Sequence, residues 1–181
     1  MRLLRAVAAM LTVLGLAAGT PVAAADANAL WDIVNGQCVP DQRTHDDPAP
    51  CALVDLEGGY AVLKDIVGAT QFLLIPTERI PGIESPPIVA ADAPNYFADA
   101  WRARIFVEQR AGRGLPRDEM SLAVNSATAR SQNQLHIHID CVRADVRQAL
   151  AAHADAIGPT WAAMPVPLAG QSYRAMAVPG E

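Results

Sequence analysis

Gln134-Leu135-His136-Ile137-His138-Ile139-Asp140-Cys141 is the stretch of sequence from which the fold of this chain can be predicted. Apolar and polar residues alternate along it, which is typical of a β-strand with one buried face. Leu135, Ile137 and Ile139 are predicted to pack inward. The other face is then lined by polar side chains: Gln134, His136, His138 and Asp140. Two imidazoles on one strand face stand close enough for one to attack an electrophile while the other binds substrate or transfers a proton.

The residues before this strand are small and polar. A short strand is predicted over residues 120–126, and residues 127–133 then lead into the histidine strand. This connection can fold as a tight loop that offers backbone N–H groups and the Arg130 guanidinium to an anion. Simple turn formation explains its polar side chains equally well.

Other segments predict an α+β domain with one antiparallel sheet and flanking helices. Residues 60–65 and 70–75 read as a β-hairpin around Val67-Gly68-Ala69. Helices are predicted over residues 28–35, 95–110 and 143–154 from their apolar spacing. Phe97 and Trp101 of the second helix are expected in the core, whereas His45 and His153 are expected at the surface.

The N-terminal 25 residues have the pattern of an export signal. Arg2 and Arg5 precede an apolar run over residues 6–18, and Ala23-Ala24-Ala25 provides small residues for cleavage. Cleavage leaves residues 26–181 as one domain, whereas an uncleaved segment would serve as a membrane anchor. In both cases the domain is expected outside the cytoplasm.

The three cysteines fit an exported protein. Cys38 and Cys51 enclose a loop rich in Pro, Asp and Gln with few apolar residues, so a disulfide is predicted to hold it. Cys141 is left over and is expected to be a buried small hydrophobe.

Charge argues against a nucleic-acid partner. The formal net charge is −5, and the arginines are scattered along the chain. The sequence also shows no internal repeat.

The histidine strand resembles the histidine-triad signature His-φ-His-φ-His-φ-φ, in the variant found in bacterial CDP-diacylglycerol pyrophosphatases. The likeness extends in family order over residues 30–178. Besides Trp31 and the pair Cys38 and Cys51, it is carried by Gly59-Tyr60-Ala61-Val62-Leu63-Lys64-Asp65, Gln71-Phe72-Leu73-Leu74-Ile75-Pro76-Thr77-Glu78-Arg79-Ile80, Gly82-Ile83-Glu84-Ser85-Pro86 and Trp101-Arg102-Ala103-Arg104.

Two features depart from the family pattern. Gln134 occupies the position of the first histidine, which usually supports the other two, and a glutamine can also donate and accept hydrogen bonds. Family members also continue for some distance beyond the position of Glu181.

The resemblance implies a histidine-triad-like fold, and hydrolysis of CDP-diacylglycerol to CMP and phosphatidate with no cofactor. His136 would be the nucleophile that forms a nucleotidyl-histidine, and His138 would bind the phosphoryl group and help to protonate the leaving phosphate. The candidate substrate-binding residues are Lys64, Asn125, Arg130, Ser131, Gln132, Asn133 and Gln134. A lipid substrate implies a membrane surface as partner, on the periplasmic side of the cell membrane.

Two other functions are compatible with the pattern. A His-x-His pair on a strand can supply two zinc ligands, with Asp140 on the same face as a third. Alternatively, the strand belongs to a non-catalytic module that binds nucleotides or lipids.

Overall fold

The computed structural model describes residues 26–178, so the predicted signal or anchor lies outside the described residues. Five strands form an antiparallel sheet in the order β1-β2-β3-β5-β4. They are β1 (Leu53–Asp55), β2 (Tyr60–Lys64), β3 (Phe72–Pro76), β4 (Met120–Ala123) and β5 (Ile137–Cys141). Two further strands, β6 (Ala162–Ala163) and β7 (Arg174–Ala175), form a separate small ribbon. The predicted α+β class with one main antiparallel sheet is confirmed.

Helices cover both faces of the main sheet. They are α1 (Ala29–Ile33), α2 (Val39–His45), α3 (Tyr96–Ala111) and α4 (Ala144–Ala152), and a π-helical segment (Val34–Cys38) joins the first two. Short 3₁₀ segments lie at Pro86–Val89, Arg117–Glu119 and Ala154–Ala156. Among the described residues, no helix is both long and apolar enough to cross a bilayer.

The helix α3 forms one side of the core. Its N-cap is Asn95, whose side chain accepts a hydrogen bond from the Ala98 N–H at 3.0 Å. Gly112 ends it in the left-handed conformation. The buried side of this helix packs on one face of the sheet, in a cluster that includes Ala100, Ala103, Val107, Val62, Leu74, Ile137 and Ile139. The predicted inward face of the histidine strand is therefore confirmed.

The opposite face of the sheet is covered by the N-terminal helices. Val34, Cys38 and Val39 pack there with Ala61, Leu63, Leu73 and Ile75. Since both faces of β2 and β3 are covered, these strands are buried almost continuously instead of alternating. Cys38 and Cys51 form the predicted disulfide within this second cluster.

Several expectations need correction. The first helical region continues to His45 instead of ending at residue 35, because the π-helical segment carries the chain into α2. Phe97 is exposed, since it lies in the first turn of α3 and lines an open surface cavity, whereas Trp101 packs against the core. Cys141 is exposed rather than buried, because β5 extends past the packed core and its last residue lines a surface cavity beside α4.

The two remaining histidines differ in exposure. His45 is exposed, as expected, and His153 is half-buried after the end of α4.

Candidate active site

A cavity of about 380 Å³ lies on the sheet face that the N-terminal helices cover, at a place where these helices leave the sheet open. It is bounded by α1, by the hairpin of β2 and β3, and by β5. The register explains why His138 reaches it, because His138 pairs with Leu73, whose side chain belongs to the cluster under the N-terminal helices. One wall is apolar, formed by Ala29, Leu30, Ile33, Leu63 and Leu73. The polar part includes Lys64, Asp65, Gln71, Asn125, Ser131, Gln132, His136 and His138.

His136 is held in one orientation by the main chain. Its Nδ1 lies 2.7 Å from the carbonyl oxygen of Gln134, and its ring is buried. Because a carbonyl can only accept a hydrogen bond, Nδ1 must carry the proton. In the neutral ring the free lone pair is then on Nε2, which is the arrangement a nucleophilic imidazole needs.

His138 lies next to His136 in an edge-to-face arrangement. The two ring centroids are 4.9 Å apart, with an interplanar angle of 71°. Burial lowers the pKa of His138 below its ordinary value, and the neighbouring His136 lowers it further, while the carboxylates of Asp65 and Asp140 act in the opposite direction. Folding therefore favours the neutral form of His138.

Both ring nitrogens of His138 have polar neighbours. Nδ1 lies 3.9 Å from Asp65 Oδ2, and Nε2 lies 3.4 Å from Asn125 Nδ2. Since an amide nitrogen only donates, Asn125 favours the tautomer with its proton on Nδ1, towards Asp65. The predicted residue Asn125 is thus beside His138 and lines the cavity.

Gln134 does not line this cavity, and its side chain instead holds the main chain next to the site. Its side chain is fully buried, and Nε2 donates to the carbonyl oxygens of Pro76 at 3.0 Å and Glu78 at 2.8 Å. These bonds tie Gln134, two residues before His136, to the main chain at and just after the end of β3. Gln134 Oε1 has no hydrogen-bond partner within residues 26–178.

Only some of the predicted residues in the polar loop before β5 line the cavity. Ser131 and Gln132 line the cavity. The Gln132 side chain accepts from the Leu30 N–H at 3.1 Å and donates to the Asp26 carbonyl at 2.7 Å, so it connects the loop to α1. Asn133 is exposed and does not line the cavity, and its main-chain N–H donates to the Ala27 carbonyl at 2.7 Å. The predicted set is therefore only partly brought together.

Arg130 does not line this cavity but a small neighbouring pocket, which it shares with Asn125 and His136. Its Nη1 lies 2.6 Å from Glu84 Oε1, and the Arg130 side chain is 13% exposed. Gly82 allows this pair to form, because a Cβ at position 82 would collide with Arg130 Nη1. The expected phosphate ligand is therefore engaged in an ion pair that joins two loops.

Lys64 is the predicted cation that does line the cavity. Its Nζ donates to the carbonyl oxygens of Asp65 at 2.6 Å and Gly68 at 2.9 Å. An ammonium group carries three donors, so one N–H is left for an anionic ligand.

The alternative of a three-ligand metal site, with Asp140 as the third ligand, finds no support among the described residues. Asp140 Oδ1 accepts a hydrogen bond from the Thr70 hydroxyl at 2.6 Å. Across residues 26–178, no group of three or more His, Cys, Asp or Glu side chains is arranged to hold a metal ion.

Asp65 and the apolar wall were missed by reasoning from the sequence. Asp65 was noted only as the end of a family segment, since its distance to His138 depends on the pairing of β3 with β5. One usable signal was that Asp65 directly follows β2. This strand pairs with β3, and β3 in turn pairs with the histidine strand β5. The wall from α1 had no signal, because it joins the site through long-range packing.

A family model described as CDP-diacylglycerol pyrophosphatase matches residues 25–181. The chain belongs to the CDP-diacylglycerol pyrophosphatase family. A CDP-diacylglycerol pyrophosphatase of Yersinia pestis is 49% identical to it over 148 residues, which are 82% of this chain and 57% of the relative. The chain thus spans little more than half the length of this curated relative. The resemblance to the family inferred from the histidine strand is confirmed.

The solved structures include a similar chain described as a HIT family hydrolase from Clostridium thermocellum. It has 19% sequence identity and a TM-score of 0.41, and the match covers 60% of this chain and 92% of that chain.

Proposed function

We propose that this chain hydrolyses the pyrophosphate bond of CDP-diacylglycerol to CMP and phosphatidate through a nucleotidyl-histidine on His136. The observation that carries the proposal is the hydrogen bond from His136 Nδ1 to the Gln134 carbonyl, inside a cavity that also contains His138. The family of the chain and the name of its 49% identical relative support the choice of substrate.

The first step is displacement at the phosphorus atom that carries the cytidine. The Nε2 lone pair of His136 forms a bond to this phosphorus, and the bond from phosphorus to the bridging oxygen breaks. Phosphatidate leaves with that oxygen, and its negative charge is reduced by a proton from His138 in its protonated form. In the second step a water molecule gives a proton to His138, which the first step left neutral, and its oxygen bonds to the same phosphorus; the N–P bond breaks and CMP is released. One difficult displacement is thereby divided into two easier ones.

The cavity has suitable groups for both ends of such a substrate. Lys64 has a donor left for a phosphate oxygen, and Ser131 and Asn125 add neutral polar groups. The wall of Leu30, Ile33, Leu63 and Leu73 offers apolar surface beside the histidines. Arg130 and Gln134 help to fix the shape of the site. Arg130 does so by its ion pair with Glu84, and Gln134 by its hydrogen bonds to the main chain at the end of β3.

An isotope experiment identifies the phosphorus atom that is attacked, and trapping of the intermediate identifies the attacking residue. The full chain is incubated with CDP-diacylglycerol in ¹⁸O-water, and both products are analysed by mass spectrometry. Attack by His136 on the cytidine phosphorus places one ¹⁸O in CMP and none in phosphatidate. Rapid quenching at alkaline pH preserves the acid-labile N–P bond of the intermediate. Peptide mapping then shows whether the nucleotide is attached to His136. Label in phosphatidate, or no release of CMP at all, would refute the proposal.

The location is proposed on the same basis. A lipid nucleotide resides in a membrane, and the N-terminal pattern is that of an exported or anchored protein. We therefore place the domain at the periplasmic side of the cell membrane. Accessibility of the domain to protease added to spheroplasts tests this location, and protection in intact spheroplasts would contradict it.

A further inference from the structure

We propose that the apex of the β2–β3 hairpin, formed by Ile66 and Val67, inserts into the surface of a phospholipid bilayer and seats the active-site cavity against it. This inference extends the proposed function, because it names the membrane partner from which the lipid substrate is taken. It depends on contacts of residues 64–71 and Arg110, which are independent of the chemistry at His136.

The apex exposes two adjacent apolar side chains. Ile66 is 100% exposed and Val67 is 66% exposed, and both lie at the rim of the cavity that contains the histidines. Scattered single apolar residues are normal on a protein surface. Two neighbouring β-branched residues at the end of a projecting hairpin, beside an apolar cavity wall, form a continuous apolar surface instead.

The polar groups of this loop are turned inward. The Val67 N–H donates to Asp65 Oδ1 at 3.0 Å, and Lys64 Nζ donates to the carbonyl oxygens of Asp65 and Gly68. The Asp65 N–H pairs with the Gln71 carbonyl at 3.2 Å across the base of the loop. A segment that enters hydrocarbon must satisfy its backbone groups internally, and much of this loop already does so.

A cation lies directly behind the apex. Arg110, near the end of α3, is exposed, and its Nε donates to the Ala69 carbonyl at 3.3 Å. An apolar tip with a guanidinium set behind it matches the layers of an anionic bilayer surface, in which phosphates lie outside the acyl chains.

The shape of the apex favours a bilayer over a single bound acyl chain. Side chains on a convex tip cannot enclose a ligand, but they can be buried among many lipid chains. The concave wall around Leu30 and Leu73 is the part that can hold a chain of the bound substrate. A bilayer contact at Ile66 and Val67 would then place the mouth of the cavity at the level of the lipid phosphates.

Fluorescence quenching tests the insertion without requiring turnover. Val67→Trp is compared in the full chain with Val89→Trp, at a valine that is 83% exposed on the Pro86–Val89 segment. The signal of the parent's own three tryptophans is subtracted. Vesicles contain phosphatidylcholine and phosphatidylglycerol with brominated acyl chains. We expect strong quenching of the tryptophan at position 67 and little at position 89. Equal quenching at both positions would overturn the proposal.

Serine variants measure how much the apex contributes. Ile66→Ser with Val67→Ser should weaken vesicle partitioning by on the order of tenfold to a hundredfold, whereas Val89→Ser with Ile105→Ser should not. Arg110→Gln should remove the extra quenching that phosphatidylglycerol gives over pure phosphatidylcholine. If the emission of the Val67→Trp variant changes with protein concentration in the absence of vesicles, the apex mediates self-association and the membrane assignment is overturned.

The same measurements in a His136→Ala background separate the two proposals. Quenching at position 67 should be unchanged there, since insertion does not involve the nucleophile. Absence of hydrolysis by the parent protein would refute the proposed function while leaving the insertion result to be judged by itself.

Discussion

Asp65 Oδ2 lies 3.9 Å from His138 Nδ1, and the same carboxyl group accepts hydrogen bonds from the Val67 N–H and the Gln71 side-chain amide. Asp65 is therefore fixed by its own loop while its charge faces the second histidine. This charge partly offsets the lowering of the His138 pKa that burial and His136 produce. The hairpin loop thus contributes the carboxylate that acts on the pKa of His138, in addition to forming part of the cavity rim.

Asp65→Asn is expected to shift the pH dependence of turnover. Without the carboxylate the pKa of His138 falls further, because its cationic form loses a stabilising charge. If protonated His138 assists the leaving group, the decline of kcat with rising pH then begins at lower pH than in the parent. The kcat profile measured against pH checks this.

Gln71→Ala is the matched control for this shift. It removes the amide that bonds to Asp65 but leaves the carboxylate and its charge in place. Its pH profile should follow that of the parent. An Asp65→Asn enzyme whose basic limb coincides with the parent's would show that Asp65 does not set the proton affinity of His138.

His136→Ala is expected to abolish turnover of CDP-diacylglycerol and also to destabilise the fold. The ring is buried, and its loss leaves the Gln134 carbonyl without its partner, so the free energy of unfolding should fall by about 1–3 kcal/mol. Product release and urea denaturation measure the two effects. His45→Ala, at an exposed histidine, should alter neither. Parent-level turnover by His136→Ala would mean that another group attacks the phosphorus.

Reduction of the Cys38–Cys51 disulfide is expected to lower stability. The bridge spans a sequence separation of 13 residues, and a loop of this size contributes about 3 kcal/mol in the chain-entropy description. Cys38→Ser with Cys51→Ser should therefore lower Tm under oxidising conditions, and dithiothreitol should have no further effect on it. Cys141→Ser is the control, because that thiol is free and exposed. An unchanged Tm in the double variant would contradict a stabilising role.

Gly82→Ala is expected to disturb the loop that carries Arg130. The added Cβ would collide with Arg130 Nη1 and with Glu84 Oε2. Both atoms are at the ends of flexible side chains, so the cost should fall below the roughly 1–3 kcal/mol of overpacking in a rigid core and arise from displacement of the ion pair. Gly114→Ala provides the comparison, since a Cβ there meets nothing within 4 Å. Thermal unfolding of both variants is measured, and equal Tm values would show that the Arg130–Glu84 pair adapts without cost.

Local patterns in the sequence were sufficient for the main helix and for four of the five strands of the main sheet, whereas the three-residue strand β1 was not predicted. The alternation around Ile137 and Ile139 and the spacing of apolar residues in α3 both correspond to packing against one core. Cys38 and Cys51 were predictable from composition and compartment. The strand boundaries were less predictable, because β4 ends at Ala123 and β5 pairs only from Ile137, where neighbouring strands are available for hydrogen bonding.

Only the part of the site that lies on the histidine strand was predictable from the sequence. The alternation placed His136 and His138 on one face, and the structure brings both to the cavity. The ion pair of Arg130 could not be predicted, since its partner Glu84 lies 46 residues away in the chain. Asp65 and Leu30 likewise enter the site through tertiary packing, for which short-range periodicity carries no information.

Gln134 gives the active site an anchoring group without a titration of its own. A primary amide neither gains nor loses a proton across the pH range of folded proteins. Its bonds to the Pro76 and Glu78 carbonyls therefore persist in acid, where an imidazole in the same place would turn into a cation enclosed by the core. Acidification of the surroundings should consequently act on His138, while the hydrogen bonds of Gln134 hold the main chain next to the nucleophile in place.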